Sequence, residues 1–189
     1  MRIVSGTCRT TPLEWLPVLS HIAPPSIQRQ NSQLREFLKI TSNRPLPINK
    51  IIDNPPTKRL KSRKPFWIDG QALHQVNFTT NDAWRDSWSR TNVRNHHLVQ
   101  DPSVCPPGFQ LPRRSWTLLN RLRCGQGRCA YLMHKWKFGQ DPKCTCGSPQ
   151  TMDHIVDVCP VYAFPGGLIN LHNAGDDAEK WLSTFPLDL

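Results

Sequence analysis

A mainly α, loop-rich fold, closed at its C-terminal end by a small cysteine–histidine knuckle, is what this sequence predicts. Three observations lead there. Apolar residues recur at helical spacing in several short stretches, and no alternating β pattern competes with them. Eighteen prolines in 189 residues, with only 38% hydrophobic content, break those stretches into short elements rather than one large core. Finally, Cys144, Cys146, His154 and Cys159 stand in the spacing C-x-C-x7-H-x4-C. Thiolate and imidazole are the ligands zinc prefers, and four of them close a tetrahedral structural site.

The elements follow in order. Residues 1–25 read as extended and proline-broken, with Trp15 and Leu16 as burial anchors. Residues 26–40 read as a helix: Pro25 precedes it, Ser26 can cap it, and Ile27, Leu34, Phe37 and Leu38 form its apolar stripe. Arg29, Arg35 and Lys39 fall on its polar side. A Pro- and Asn-rich linker comes next, carrying the basic run Lys58, Arg59, Lys61, Arg63 and Lys64. Such a run serves as a nuclear-import signal or an RNA-contacting arm, or is simply a solvated tether. Two helices are expected over 69–77 and 81–93, the second capped by Asn81 or Asp82 and burying Trp84, Trp88 and Val93. The four-residue separation of the two tryptophans suits a core face better than base stacking.

After a proline-rich loop, residues 113–123 form a helix with Trp116, Leu119 and Leu122 facing inward. Arg113, Arg114, Arg121 and Arg123 are left over for phosphate contacts. Gly125 and Gly127 interrupt it, and a second helix over 128–137 adds Arg128, Lys135 and Lys137. From residue 113 to 143 there are eight Lys/Arg against one acid, Asp141, within a chain of net charge +10. A basic block of this kind beside a knuckle points to an anionic polymer. In the knuckle itself Cys144 and Cys146 share a face of an extended segment, and Gly147 turns the chain. Ser148 is the expected helix cap, with Pro149 at the first helical position. Met152, Ile155 and Val156 make an apolar face, Asp153 and Asp157 point to water, and Pro160 ends the helix at Cys159. A last short helix over 176–182 returns Trp181 and Leu182 to the knuckle. The expected segments are therefore 1–45, a basic linker 46–68, a helical segment 69–100, and 101–189 for the basic hairpin with the knuckle.

The run Cys144–Pro160 resembles the cysteine–histidine motif near the C-terminus of non-LTR (LINE-like, jockey-type) retrotransposon polyproteins. Ser115–Arg123, Gly125–Cys129 and Leu132–Trp136 resemble the basic helical block that precedes that motif. Ser5-Gly6-Thr7 and Thr11–Leu19 resemble the segment that follows the reverse-transcriptase domain. The resemblance covers nearly the whole chain, most specifically residues 112–160; Cys124 departs from it, standing where threonine is expected. It implies a zinc-bound, non-catalytic C-terminal portion of a reverse-transcriptase polyprotein that binds RNA or target DNA beside an upstream polymerase domain, in the nucleus or cytoplasm.

No polymerase or nuclease site is expected in the chain. Asp176-Asp177 is the only adjacent aspartate pair, and acids that open a helix are expected there as dipole partners. A second metal site from Cys105, Cys124, Cys129 and His134 fits no common ligand spacing. With no apolar leader and no run long enough to span a bilayer, an intracellular compartment with free or metal-bound thiols is expected. Two other readings stay open: an inert translated remnant, and a zinc-stabilised protein-interaction module.

Overall fold

The computed structural model describes residues 1–55, 65–187 and 189. It is 54% helical, and the described residues contain no strand, only an isolated antiparallel bridge between Lys143 and Pro149. The mainly α expectation holds. The chain divides into two compact units, one of residues 23–89 and one of residues 1–22 together with 90–189. The segment 1–45 read from the sequence is thus divided between the two. The basic run Lys58, Arg59, Lys61, Arg63 and Lys64 lies outside the described residues.

In the smaller unit α3 (Pro25–Ser42) is the organising helix, packed by α4 (Pro47–Asp53), α5 (Phe66–Gln75) and α6 (Thr80–Ser89). Ile27, Leu34 and Phe37 of α3 are buried, while Leu38 is exposed. Pro25 is itself the first helical residue, where its missing N–H costs nothing, so Ser26 is not the cap. Helices α3 and α5 approach closely at Gly70, where a Cβ would sit 2.5 Å from that of Phe37. Asn49 is buried and its Nδ2 donates to the carbonyls of Ile40 and Asn43 at the C-terminal end of α3. The α6 cap is Thr79 rather than Asn81 or Asp82: its Oγ accepts from Asp82 N–H at 3.1 Å and donates to the Asp82 carboxylate at 2.6 Å. This is a side-chain N-cap set two or three residues earlier than the sequence suggested. Trp84 and Trp88 are core residues as expected, but α6 ends at Ser89 and does not reach Val93.

The larger unit is built on α7 (Arg113–Arg123), whose bounds match the sequence reading. Helices α1 (Arg2–Ser5), α9 (Gly167–His172) and α10 (Asp176–Thr184) pack on it, α2 (Trp15–Ser20) packs on α1, and α8 (Ala130–Lys135) and a 3-10 turn at His96–Leu98 complete the unit. Residues 1–25 are therefore not simply extended. Two short helices form there, the second admitting Pro17 because it falls in the first turn. Trp15 is fully buried and its Nε1–H donates to Arg94 O at 3.1 Å. Leu118, Leu119 and Leu122 of α7 meet Met152, Ile155, Val156, Leu168, Leu171, Leu182 and Phe185 in one apolar core. The C-terminal end of α7 is closed by N–H groups of Gly125 and Gln126 bonding to Leu122 and Arg121 carbonyls, a Schellman arrangement. Among the described residues no helix is long and apolar enough to cross a membrane.

Candidate metal centre

Residues 142–150 fold into a tight hairpin. Cys144 N–H bonds to Ser148 O at 2.7 Å, Gly147 N–H to Cys144 O at 2.9 Å, and Gln150 N–H to Pro142 O at 2.8 Å. Gly147 turns it with φ of +90°, a region that side chains with a Cβ rarely enter. Pro149 is committed to the bridge with Lys143, so neither it nor Ser148 starts the helix. The cap is Thr151, whose Oγ accepts from His154 N–H at 3.1 Å. The helix then widens to a π-turn over His154–Val158, closed by Cys159 N–H on His154 O at 2.7 Å. Wide turns of this kind are rare and favour functional sites. Here the turn sets His154 and Cys159 on the side that faces the hairpin.

The consequence is convergence. Ligand atoms of Cys144, Cys146, His154 and Cys159 all lie within 4.8 Å of one another. Cys144 Sγ is 3.7 Å from Cys159 Sγ, and Cys146 Sγ is 3.1 Å from His154 Nε2. Zinc–sulfur bonds of about 2.3 Å at the tetrahedral angle put two sulfurs about 3.8 Å apart, and a sulfur and an imidazole nitrogen about 3.6 Å apart. The Cys144–Cys159 spacing is close to the first value, the Cys146–His154 spacing is shorter than the second, and no pair exceeds 4.8 Å, so the four side chains form a group that can hold a metal ion. Burial pushes both the Cys144 and Cys159 thiols up. At Cys144 this is outweighed by hydrogen bonds from the Cys146 N–H, His154, Cys159 and Thr145, which bring it down to about 6. The Val161 and Tyr162 N–H groups point likewise at Cys159, whose thiol stays above its ordinary value. Peptide N–H groups aimed at sulfur are what a thiolate ligand needs.

The knuckle is fastened to its surroundings. Asp157 is exposed but accepts from Leu168 N–H at 2.8 Å, capping α9, and Asp153 pairs with Arg94. Neither merely points to water. A Cβ on Gly127 would meet Met152 Cε at 2.7 Å, and Gln150 accepts from the Ala130 and Tyr131 N–H groups at the start of α8. The basic hairpin therefore packs directly on the knuckle. From the other side Trp181 Nε1–H donates to Tyr162 O at 3.1 Å, and Leu182 enters the core.

The arginines separate into different roles. Arg123 is fully buried and belongs to the core, which corrects its reading as a phosphate contact. Its Nε donates to His172 Nδ1 at 3.0 Å, Nη1 to Asn120 Oδ1 at 3.2 Å, and Nη2 to the Pro107 and His172 carbonyls at 2.7 and 2.8 Å. Its guanidinium also lies 5.5 Å from the Trp116 ring centroid. Burial lowers Arg123 to about 9, so it stays charged at neutral pH. His172 is lowered to about 4 by burial first, then by the charges of Arg123 and His97, which matches a neutral ring accepting at Nδ1. Arg113 bonds to the Ile3 and Val4 carbonyls, Arg114 to Phe185 O at 3.0 Å, and Arg121 to the Gly6 and Leu189 carbonyls. These three partly fasten the N- and C-terminal segments to α7. Arg128, Lys135 and Lys137 are exposed on the hairpin.

Asp176 and Asp177 are exposed first-turn residues of α10. Cys105 is exposed, whereas Cys124 and Cys129 are buried, and Cys124 is pushed to about 11 by burial while contacting Thr11 Oγ1 at 3.6 Å. Among the described residues the knuckle is the one grouping of three or more potential ligands, and those cysteines do not form a second. No family model, curated protein or solved structure matches this chain.

Proposed function

We propose that this chain is a non-catalytic nucleic-acid-binding segment stapled by one zinc ion, corresponding to the part of a non-LTR retrotransposon polyprotein that follows the reverse transcriptase. The observation that carries the reading is the convergence of Cys144, Cys146, His154 and Cys159 beneath a basic hairpin that packs on them. Three thiolates and one imidazole leave no open coordination position, so the metal's work is structural. Bound there, zinc would neutralise the thiolates and lock the hairpin to the π-turn. RNA, or target DNA with its nascent copy, is the partner, and the intact polyprotein would supply the polymerase. The exposed bases of the hairpin give the protein its hold on the phosphate backbone. This makes binding electrostatic, with little sequence preference.

The test is a salt titration. Single-stranded RNA binding engaging four or five bases should show a slope of log K against log salt of roughly −3, at about −0.7 per phosphate. Replacing Arg128, Lys135 and Lys137 with alanine should flatten that slope by about 2 while leaving the metal bound. Arg121 is unsuited to this experiment because it also holds Gly6 and Leu189. Binding that ignores salt would favour a zinc-stabilised protein-interaction module. A zinc-loaded chain without cooperative unfolding would point to an inert remnant.

A further inference from the structure

A groove of about 640 Å³ opens between the N-terminal segment and the basic hairpin, lined by Arg9, Arg121, Arg128, Met133, Trp136 and Phe138 among others, with no acid in its wall. Three of those six are cations and two are large aromatics. Arg9 comes from a stretch that composition alone gave no reason to single out.

Phe138 is 78% exposed. It is also held in place. Lys137, directly after the last turn of α8, adopts the left-handed conformation at φ of +63°. Its N–H bonds to His134 O, and the Phe138 N–H bonds to Met133 O, both at 2.9 Å. This is a Schellman closure, in which the residue after the left-handed one packs against the third residue from the helix end. Here those two are Phe138 and Met133, both in the groove wall. A non-glycine residue in this conformation is uncommon and costs stability. The closure therefore holds Phe138 in solvent in the wall of the same groove as Trp136 and two exposed arginines, Arg9 and Arg128.

We infer that this groove binds single-stranded nucleic acid, with the backbone phosphates beside Arg9 and Arg128 and an unpaired base stacked on Phe138. The inference rests on the nucleic-acid reading above and adds a location and a strand state to it. Charge complementarity selects the occupant: an acid-free wall of arginines within a chain of net charge +10 suits a polyanion. The aromatics select the strand state. Paired bases keep their faces inside the duplex stack, whereas a single strand offers them to a ring. Arg121 spends bonds on the Gly6 and Leu189 carbonyls, so it contributes field to the groove and fixes its floor.

The experiment uses the full zinc-loaded chain with three fluorescent probes: a twelve-nucleotide oligo-U, the same length with abasic sites, and a hairpin duplex. Phe138→Ala should weaken oligo-U binding about tenfold with the salt slope unchanged, since stacking is lost and no phosphate contact is. The same variant should bind the abasic probe as the wild type does. Arg9→Ala should flatten the slope by about 0.7. Both side chains are exposed, so unfolding midpoint and zinc content serve as controls that should not move. If both variants bind every probe like wild type while wild-type binding stays salt-dependent, the groove assignment fails and the broader nucleic-acid reading survives. If the wild type shows no salt-dependent binding to any probe, both fail. Equal affinity for the duplex and the single strand overturns the strand assignment.

Discussion

Cys146→Ser will empty the metal site and loosen the chain between residues 140 and 165. Serine lacks the thiolate, and Cys146 Sγ lies 3.1 Å from His154 Nε2, so the substitution removes one of the thiol contacts joining hairpin to π-turn. The energetic scale makes the effect large. Structural zinc in small peptides contributes roughly 10–16 kcal/mol at neutral pH, comparable to or larger than the 5–15 kcal/mol net stability of a typical domain. Apart from the thiol and imidazole group, the hairpin is held by a single β-bridge, a handful of turn hydrogen bonds and the two bonds that Gln150 accepts from Ala130 and Tyr131. Metal content should fall from one ion per chain towards zero. Amide exchange should accelerate from residue 140 to 165 and at Ala130 and Tyr131, whose N–H groups depend on Gln150. Equal zinc in wild type and variant would remove Cys146 from the ligand set.

Arg123→Met will destabilise the fold by about 3 kcal/mol, since each buried acceptor left unsatisfied costs roughly 1–3 kcal/mol and relief of the guanidinium's own burial offsets part of the sum, and lower the melting temperature by roughly 6–12 °C. Methionine matches the side chain's bulk but leaves His172 Nδ1, Asn120 Oδ1 and two carbonyls without their donor. Asn120 is also the link to α1, through its bond to Ser5 O at 3.0 Å, so the N-terminal segment should loosen too. Arg123→Lys should fare little better, because an ammonium cannot reach four acceptors spread over Pro107, Asn120 and His172. Lys135→Ala, on the exposed hairpin, should move stability by less than about 0.5 kcal/mol. The same network sets an acid limit. His172 is held down near 4 by burial and by Arg123 and His97, against an ordinary 6.5. The unfolded chain therefore takes up that proton first, and stability falls as pH drops from about 6.5 towards 4. In Arg123→Met the Arg123 contribution to this shift should vanish, and the ring should titrate closer to its ordinary value by NMR.

How the two arginine populations arose explains what the sequence could and could not reveal. Helix α7 was legible because Pro112 stops at its door, Gly125 closes it, and Trp116, Leu119 and Leu122 repeat at helical spacing. Burial of Arg123 was not legible, since the partners that make it tolerable lie at Pro107 and at His172, 49 residues along the chain. A cation in a last helical turn looks like a surface residue until those acceptors arrive. The four members of the candidate metal group could be read from spacing alone, and the structure brings them together. Their local framing could not: Ser148-Pro149 and Thr151 each carry valid start signals, and the pairing of Pro149 with Lys143 decides for Thr151. Helices α1, α2 and α4 are four to seven residues long, and proline interrupts α2 and opens α4, so all three are too short for periodicity to register. The groove wall escaped for a different reason. Arg9 and Phe138 are 129 positions apart, and only the packed chain makes them neighbours of one cavity.

X-ray absorption at the zinc edge on the purified full chain reports whether three thiolates and one imidazole of this chain hold a zinc ion. One zinc per chain, with three sulfurs at about 2.3 Å and one nitrogen at about 2.0–2.1 Å, is the predicted result. A sulfur-free shell of nitrogen and oxygen ligands, or a chain that retains no zinc after dialysis against metal-free buffer, would contradict it.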